Sequence, residues 1–134
     1  MQITAEQADR VMKASIMKAR ELGVSVCIAI LDSGGHLKAF HRMDGAWLGV
    51  IEVALMKAKT SALFEMETQT VDNYSKAGGD AHGLELTNGH LVTFAGGIPF
   101  KDVDGHMIGS IGVSGGTSAQ DYAVAQSGQS ALEA

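Results

Sequence analysis

The chain has 134 residues, of which 46% are hydrophobic and 19% charged, and carries a formal net charge of −5. That length suits one domain with one buried core, and the negative balance argues against nucleic acid or an anionic membrane as partner, because both select a surplus of Lys and Arg. No apolar run approaches a membrane span, the first residues lack the basic and apolar regions of a signal peptide, and the lone Cys27 cannot form an intramolecular disulfide, so a cytoplasmic protein is expected.

Thr4 and Gln7 have the spacing of a capping box, an arrangement typically worth about 1 kcal/mol. Behind them Ala8, Val11, Met12, Ser15, Ile16, Ala19 and Leu22 recur at helical spacing, with Asp9, Arg10, Lys13 and Arg20 on the other side and Gly23 placed to end the helix. Val24 to Leu31 is nearly all apolar and reads as a strand covered on both faces. Asp32-Ser33-Gly34-Gly35 is a turn, and His36 to Arg42 returns as the second arm of a hairpin.

Asp44-Gly45 breaks that strand, with Asp44 placed to cap a helix over Ala46 to Phe64. This helix is apolar on more than one side, so it must bury a second face, and a subunit interface is the expected cover. Thr68 to Lys76 reads as a short helix before Gly78-Gly79, and Asp80 to Gly89 is polar, ending in the Asn88-Gly89 turn signal. Leu91 to Phe94, Ile98 to Lys101 and His106 to Val113 read as three further strands, and Ser118 to Leu132 as a closing helix capped by Ser118 and Asp121. The order predicts an α+β fold with a five-stranded antiparallel sheet layered with helices.

Gly96-Gly97-Ile98-Pro99-Phe100 and Gly109-Ser110-Ile111-Gly112-Val113-Ser114-Gly115-Gly116 put glycines inside apolar, β-branched runs. Such glycines weaken a strand, and they are expected where another backbone, or a flat ligand, comes close to the sheet. Gly112 to Gly116 also matches G-x-S-x-G, but no histidine follows His106 and the chain is too short for the hydrolase fold that uses it. A glycine turn fits better, with Ser114, Gly115 and Gly116 suited to an anion at the start of the last helix.

Arg42-Met43-Asp44 sets a cation, a thioether and a carboxylate at a strand-to-helix junction, readable as an ion pair with a helix cap or as a charged rim for a small acid or a propionate. Lys57 and Thr60 lie further along the same helix. The five histidines form no zinc-ligand cluster, but a haem iron needs only one accessible axial ligand, which makes His41, His82 and His90 candidates.

The segments from Ala29 to Leu37, Arg42 to Ala46, Lys57 to Ala62, Gly96 to Pro99 and Ile108 to Gly116 resemble the GlcG/HbpS haem-binding family, whose domain also forms the C-terminal part of PduO-type corrinoid adenosyltransferases. The resemblance spans essentially the whole chain. It implies a profilin-like fold of α-β-α layers and assembly into a homodimer or a higher even-numbered oligomer. The function it implies is a haem- or tetrapyrrole-binding accessory role, linked to haem degradation or redox sensing. The ligand-binding set expected on this basis is Arg42, Asp44, Lys57, Thr60, Gly96, Gly97, Ser114, Gly115 and Gly116. The alternative is an enzyme or binding subunit for a hydroxy acid, diol or related catabolic intermediate, for which spacing alone fixes no acid–base pair.

Overall fold

The computed structural model describes residues 1–132. Helix α1 (Ala5–Leu22) precedes a hairpin of β1 (Cys27–Asp32) and β2 (Leu37–Arg42), then α2 (Gly49–Phe64) and α3 (Thr68–Ser75). A long loop with one 3-10 turn at Leu84–Leu86 leads to β3 (Gly97–Lys101), β4 (Met107–Ser114) and α4 (Ser118–Leu132). The sheet order is β2-β1-β4-β3, antiparallel throughout.

Alternation along the first strand assigns its side chains to two layers. Val26, Ile28 and Ile30 meet Val11 of α1, Val124 of α4, and Phe100, Ile111 and Val113 of the neighbouring strands. Cys27, Ala29 and Leu31 face Ala54 and Ala58 of α2. The unbroken apolar run thus covers both faces, and each fully buried isoleucine contributes about 1.5–3 kcal/mol.

The two hairpin turns share one construction. The Asp32 carboxylate accepts from the backbone N–H of Gly34 (2.9 Å) and His36 (3.0 Å), and Asp102 does the same for Asp104 and His106, both at 2.9 Å. Thr4 and Gln7 form the expected reciprocal cap, and Gly23 ends α1.

Several expectations are corrected. Among the described residues the sheet has four strands rather than five, because Leu91 to Phe94 is irregular: Val92 N–H donates to Thr60 Oγ1 of α2 (3.1 Å) and Thr93 Oγ1 to Asp72 of α3 (3.0 Å). Side chains take the groups a strand neighbour would need. Helix α2 starts at Gly49, and Leu48, not Asp44, occupies its N-cap, with no side-chain cap bond. The last helix is capped by Thr117 and Gln120, which exchange hydrogen bonds at 3.2 and 2.9 Å, one residue before the pair expected.

Helix α2 lies directly on the sheet. A Cβ on Gly112 would sit 2.1 Å from Ala54 O and 2.5 Å from Ala58 N, and one on Gly97 would sit 2.6 Å from Lys57 O. Gly97 and Gly112 therefore accommodate another backbone, that of α2, whereas Gly109 lies against Leu31 O of β1. The loop before β3 covers part of the second face of α2, burying Thr60 and binding Lys59 Nζ through Asn88 O at 3.1 Å. Among the described residues no helix is long and apolar enough to cross a membrane.

Candidate functional site

The expected ligand-binding residues separate into an open cleft and an enclosed cluster. The cleft, about 270 Å³, lies beside the edge strand β2 and is lined by Arg20, His41, Arg42, Met43 and Asp44. The backbone holds these residues by bonding the segment after β2 to the residue before β1, Met43 N–H donating to Val26 O (3.0 Å). The chain then turns through Ala46 N–H to Met43 O (3.1 Å). Arg20 reaches the cleft from the last turn of α1, where a cation also suits the helix dipole. Arg42 lies opposite Cys27, whose thiol burial pushes above its ordinary 9.0 while the guanidinium opposes the shift.

Among the described residues neither Arg20 nor Arg42 forms an ion pair, and Asp44 pairs with neither. The ion pair open to Arg42 and Asp44 on sequence grounds is therefore not made. Arg20 and Arg42 are exposed and both line the cleft, Arg42 at the register position of Cys27 and His41 at that of Ile28, on the other face of the sheet. His41 is half-buried on the same wall, whereas His82 and His90 are exposed on the loop between α3 and β3.

The enclosed cluster is centred on Lys57, whose side chain has no solvent exposure. Its Nζ donates to Val113 O at 2.7 Å and to Asp121 Oδ2 at 3.0 Å, and lies 5.0 Å from the centre of the Phe94 ring. Asp121 Oδ1 accepts from Gly116 N–H at 2.8 Å, so one carboxylate ties α2 to the glycine turn that opens α4. Burial pushes the Lys57 ammonium below its ordinary 10.5, with the Asp121 charge and hydrogen bond acting against it. Gly96 lies against this ammonium: a Cβ there would be 2.9 Å from Nζ and 2.4 Å from Val113 O.

Gly97 N–H donates to Thr68 Oγ1 at 3.0 Å. Thr60 holds Val92 N–H and donates to Met56 O at 2.7 Å. Ser114 is buried where β4 pairs with Cys27, and Gly115, with φ of 137°, turns the chain where a Cβ would meet Ser25 O at 2.6 Å. The structure thus gathers His41, Arg42 and Asp44 on the surface, and Lys57, Gly96, Ser114 and Gly116 around a buried ion pair.

Sequence reasoning missed two participants. Arg20 read as part of the polar face of α1, and nothing in its spacing shows that the helix end meets the end of β2. Asp121 read as a helix cap, while its partner Lys57 lies 64 residues earlier.

A family model described as haem degrading protein HbpS-like matches residues 3–130. An uncharacterised 15.0 kDa protein in the dhaT-dhaS intergenic region of Citrobacter freundii is 35% identical over 125 residues, covering 92% of this chain and 87% of the relative. The corrinoid adenosyltransferase PduO of the same organism is 32% identical over 133 residues, which is 98% of this chain but only 39% of PduO. A crystal structure of a PduOC:haem complex superposes with a TM-score of 0.92 at 31% identity, covering 98% of this chain and 95% of that one.

Proposed function

We propose, from the premise that this chain belongs to the HbpS-like family, that it is an oligomeric haem- or tetrapyrrole-binding accessory protein whose ligand sits at the cleft beside β2. The observation that carries this reading is the lining of that cleft by His41, Met43 and two cations, Arg20 and Arg42, neither of them ion-paired among the described residues. The donor set fits an iron porphyrin: an imidazole or a thioether suits the iron, and guanidiniums suit ionised propionates. The likeness to a haem-bound PduOC supports the same ligand class.

In this reading His41 would hold the iron through its imidazole, and Arg42 and Asp44 would form the rim. Bound haem would supply a redox-active iron, and the accessory role in haem degradation or redox sensing rests on it. The protein's own residues bind the ligand, orient it and set its access to water. Lys57 fixes the Gly116 turn through Asp121, Gly96 packs on Lys57, Ser114 pairs with Cys27 in the sheet, and Thr60 and Gly97 bond Val92 and Thr68 instead.

A cleft of about 270 Å³ is smaller than the pockets of about 300–1,000 Å³ that bury whole ligands. A macrocycle held there would extend past the mouth toward exposed Trp47 and Leu48, where a second copy of the chain can cover it. Titration with hemin, followed at the Soret band, tests the reading. Saturable binding at micromolar hemin is expected, with the band altered in His41→Ala and unchanged in His82→Ala and His90→Ala. No saturable shift overturns haem binding, and an unchanged spectrum in His41→Ala overturns the ligand assignment.

The small size of the cleft also favours a second reading, the capture of a hydroxy acid or another small carboxylate as part of an enzyme or binding subunit. A thermal-shift screen of small acids and diols tests it. A ligand at a hundred times its dissociation constant stabilises by about 2.7 kcal/mol, and flat melting curves overturn it.

A further inference from the structure

We propose that Lys57 is a concealed amine that captures small aldehydes as an imine when the Phe94 ring swings aside, with Asp121 carrying the protons. This activity belongs to the enclosed cluster and is independent of what the cleft beside β2 binds. The Lys57 side chain has no solvent exposure, yet on one side its cover is a single ring: the centre of Phe94 lies 5.0 Å from Nζ, and Phe94 is 54% exposed. That ring sits on the least tied stretch of its loop. Val92 N–H is held by Thr60 Oγ1 and Gly96 O accepts from Val113 N–H at 2.9 Å, while between them Phe94 and Ala95 make no hydrogen bond among the described residues. Gly96 adds no side chain to the space, since a Cβ there would stand 2.9 Å from Nζ. Turning the Phe94 side chain outward would open the amine while α2, β4 and α4 stay in place.

The amine is suited to carbonyl addition. A desolvated lysine gives up its proton more readily, and a carboxylate oxygen lies 3.0 Å away to take it. Asp121 Oδ1 is held by Gly116 N–H, which leaves Oδ2 to exchange protons. The freed electron pair on Nζ forms a bond to the carbonyl carbon as the carbonyl double bond opens onto oxygen. Asp121 returns its proton to that oxygen, takes another from the nitrogen and gives it to the hydroxyl, which leaves as water. Ammonium and aldehyde thus become a protonated imine and water, Asp121 ends ionised as it began, and nothing is oxidised or reduced. The product keeps the positive charge that the carboxylate and the aromatic ring favour. Only a slim carbonyl compound fits the space that one ring vacates, which selects small aldehydes.

Treating the full-length protein with propionaldehyde and sodium cyanoborohydride, which reduces an imine to a stable secondary amine, tests the capture by peptide mass spectrometry. Near neutral pH, Lys57 is expected to take the propyl label about tenfold faster than exposed Lys13. The rate at Lys57 should rise in Phe94→Ala and fall in Phe94→Trp, with Lys13 unchanged in both. Asp121→Asn should slow Lys57 alone. Circular dichroism of each variant checks that the fold is retained, and the two exchanges at Phe94 keep the test open if Asp121→Asn does not fold.

Label on Lys13 with none on Lys57 overturns the proposal. A Lys57 rate that is the same with Ala, Phe or Trp at position 94 overturns the ring as its gate. Label that reaches Lys57 only in urea, or only in Phe94→Ala, overturns capture by the native protein.

Discussion

Lys57 Nζ and Asp121 Oδ2 lie 3.0 Å apart with both side chains buried, joining the middle of α2 to the first turn of α4 beneath the Phe94 ring. The pair closes a chain of contacts from Val113 O through the ammonium and carboxylate to Gly116 N–H. Removing one member leaves the other charge buried without a partner, a loss of about 3–5 kcal/mol. Lys57→Met and Asp121→Asn should each lower the urea midpoint strongly, and the double variant should recover part of the sum. Strict additivity in that double-mutant cycle would show that the two groups are not coupled.

The depressed proton affinity of Lys57 has a definite sign in stability. Its folded value lies below the ordinary 10.5, so between the two the unfolded chain binds more protons. Its contribution therefore rises with pH across that window. Lys57→Met should lack this rise, and comparing urea midpoints from neutral pH up to the ordinary 10.5 measures the difference.

Gly112→Ala is expected to be among the most damaging small substitutions. Its methyl would meet backbone at 2.1 Å, which no rotamer change relieves, so α2 would have to lift off the sheet. Gly34→Ala meets only side-chain atoms, the exposed His36 ring at 2.9 Å and Asp32 Oδ1 at 3.4 Å, and should cost far less. Thermal melts of the two variants order them, and near-equal midpoints would contradict the close approach of α2.

Assembly is expected to depend on Trp47 and Leu48, which are 79% and 72% exposed at the start of α2. Val50 and Ile51 instead pack against Cys27, Ala29 and Leu31, so charge at either would damage the fold itself. Trp47→Lys with Leu48→Glu should reduce an even-numbered oligomer to a 14.0 kDa monomer that keeps its melting temperature, as measured by light scattering and calorimetry. A wild-type monomer at micromolar concentration would refute assembly.

The twin turns should give stability an acidic limit. The backbone N–H of His36 holds the Asp32 carboxyl below its ordinary 3.8, and that of His106 does the same for Asp102, with Gly34 and Asp104 adding to each effect. These contributions are complete above the unfolded value and are lost as pH falls through the folded one. Asp32→Ala should be less stable than the parent at neutral pH, and the gap should narrow below about pH 4. A gap independent of pH would assign the loss to something other than the ionised carboxylate.

The sequence by itself determined the local structure: the Thr4–Gln7 cap, the end of α1 at Gly23, a first strand covered on both faces, the two hairpins and the extent of α4. These follow from side-chain spacing and from backbone groups satisfied within a few residues. Family membership was legible for the same reason, since its motifs are contiguous. Only the tertiary structure decided that the sheet stops at four strands, that Gly97 and Gly112 receive a helix backbone, that Asp121 serves Lys57, and that Arg20 lines one cleft with His41 and Arg42. Each of those depends on two segments far apart in the chain meeting in space, and their pairing energy arises only when the layers close.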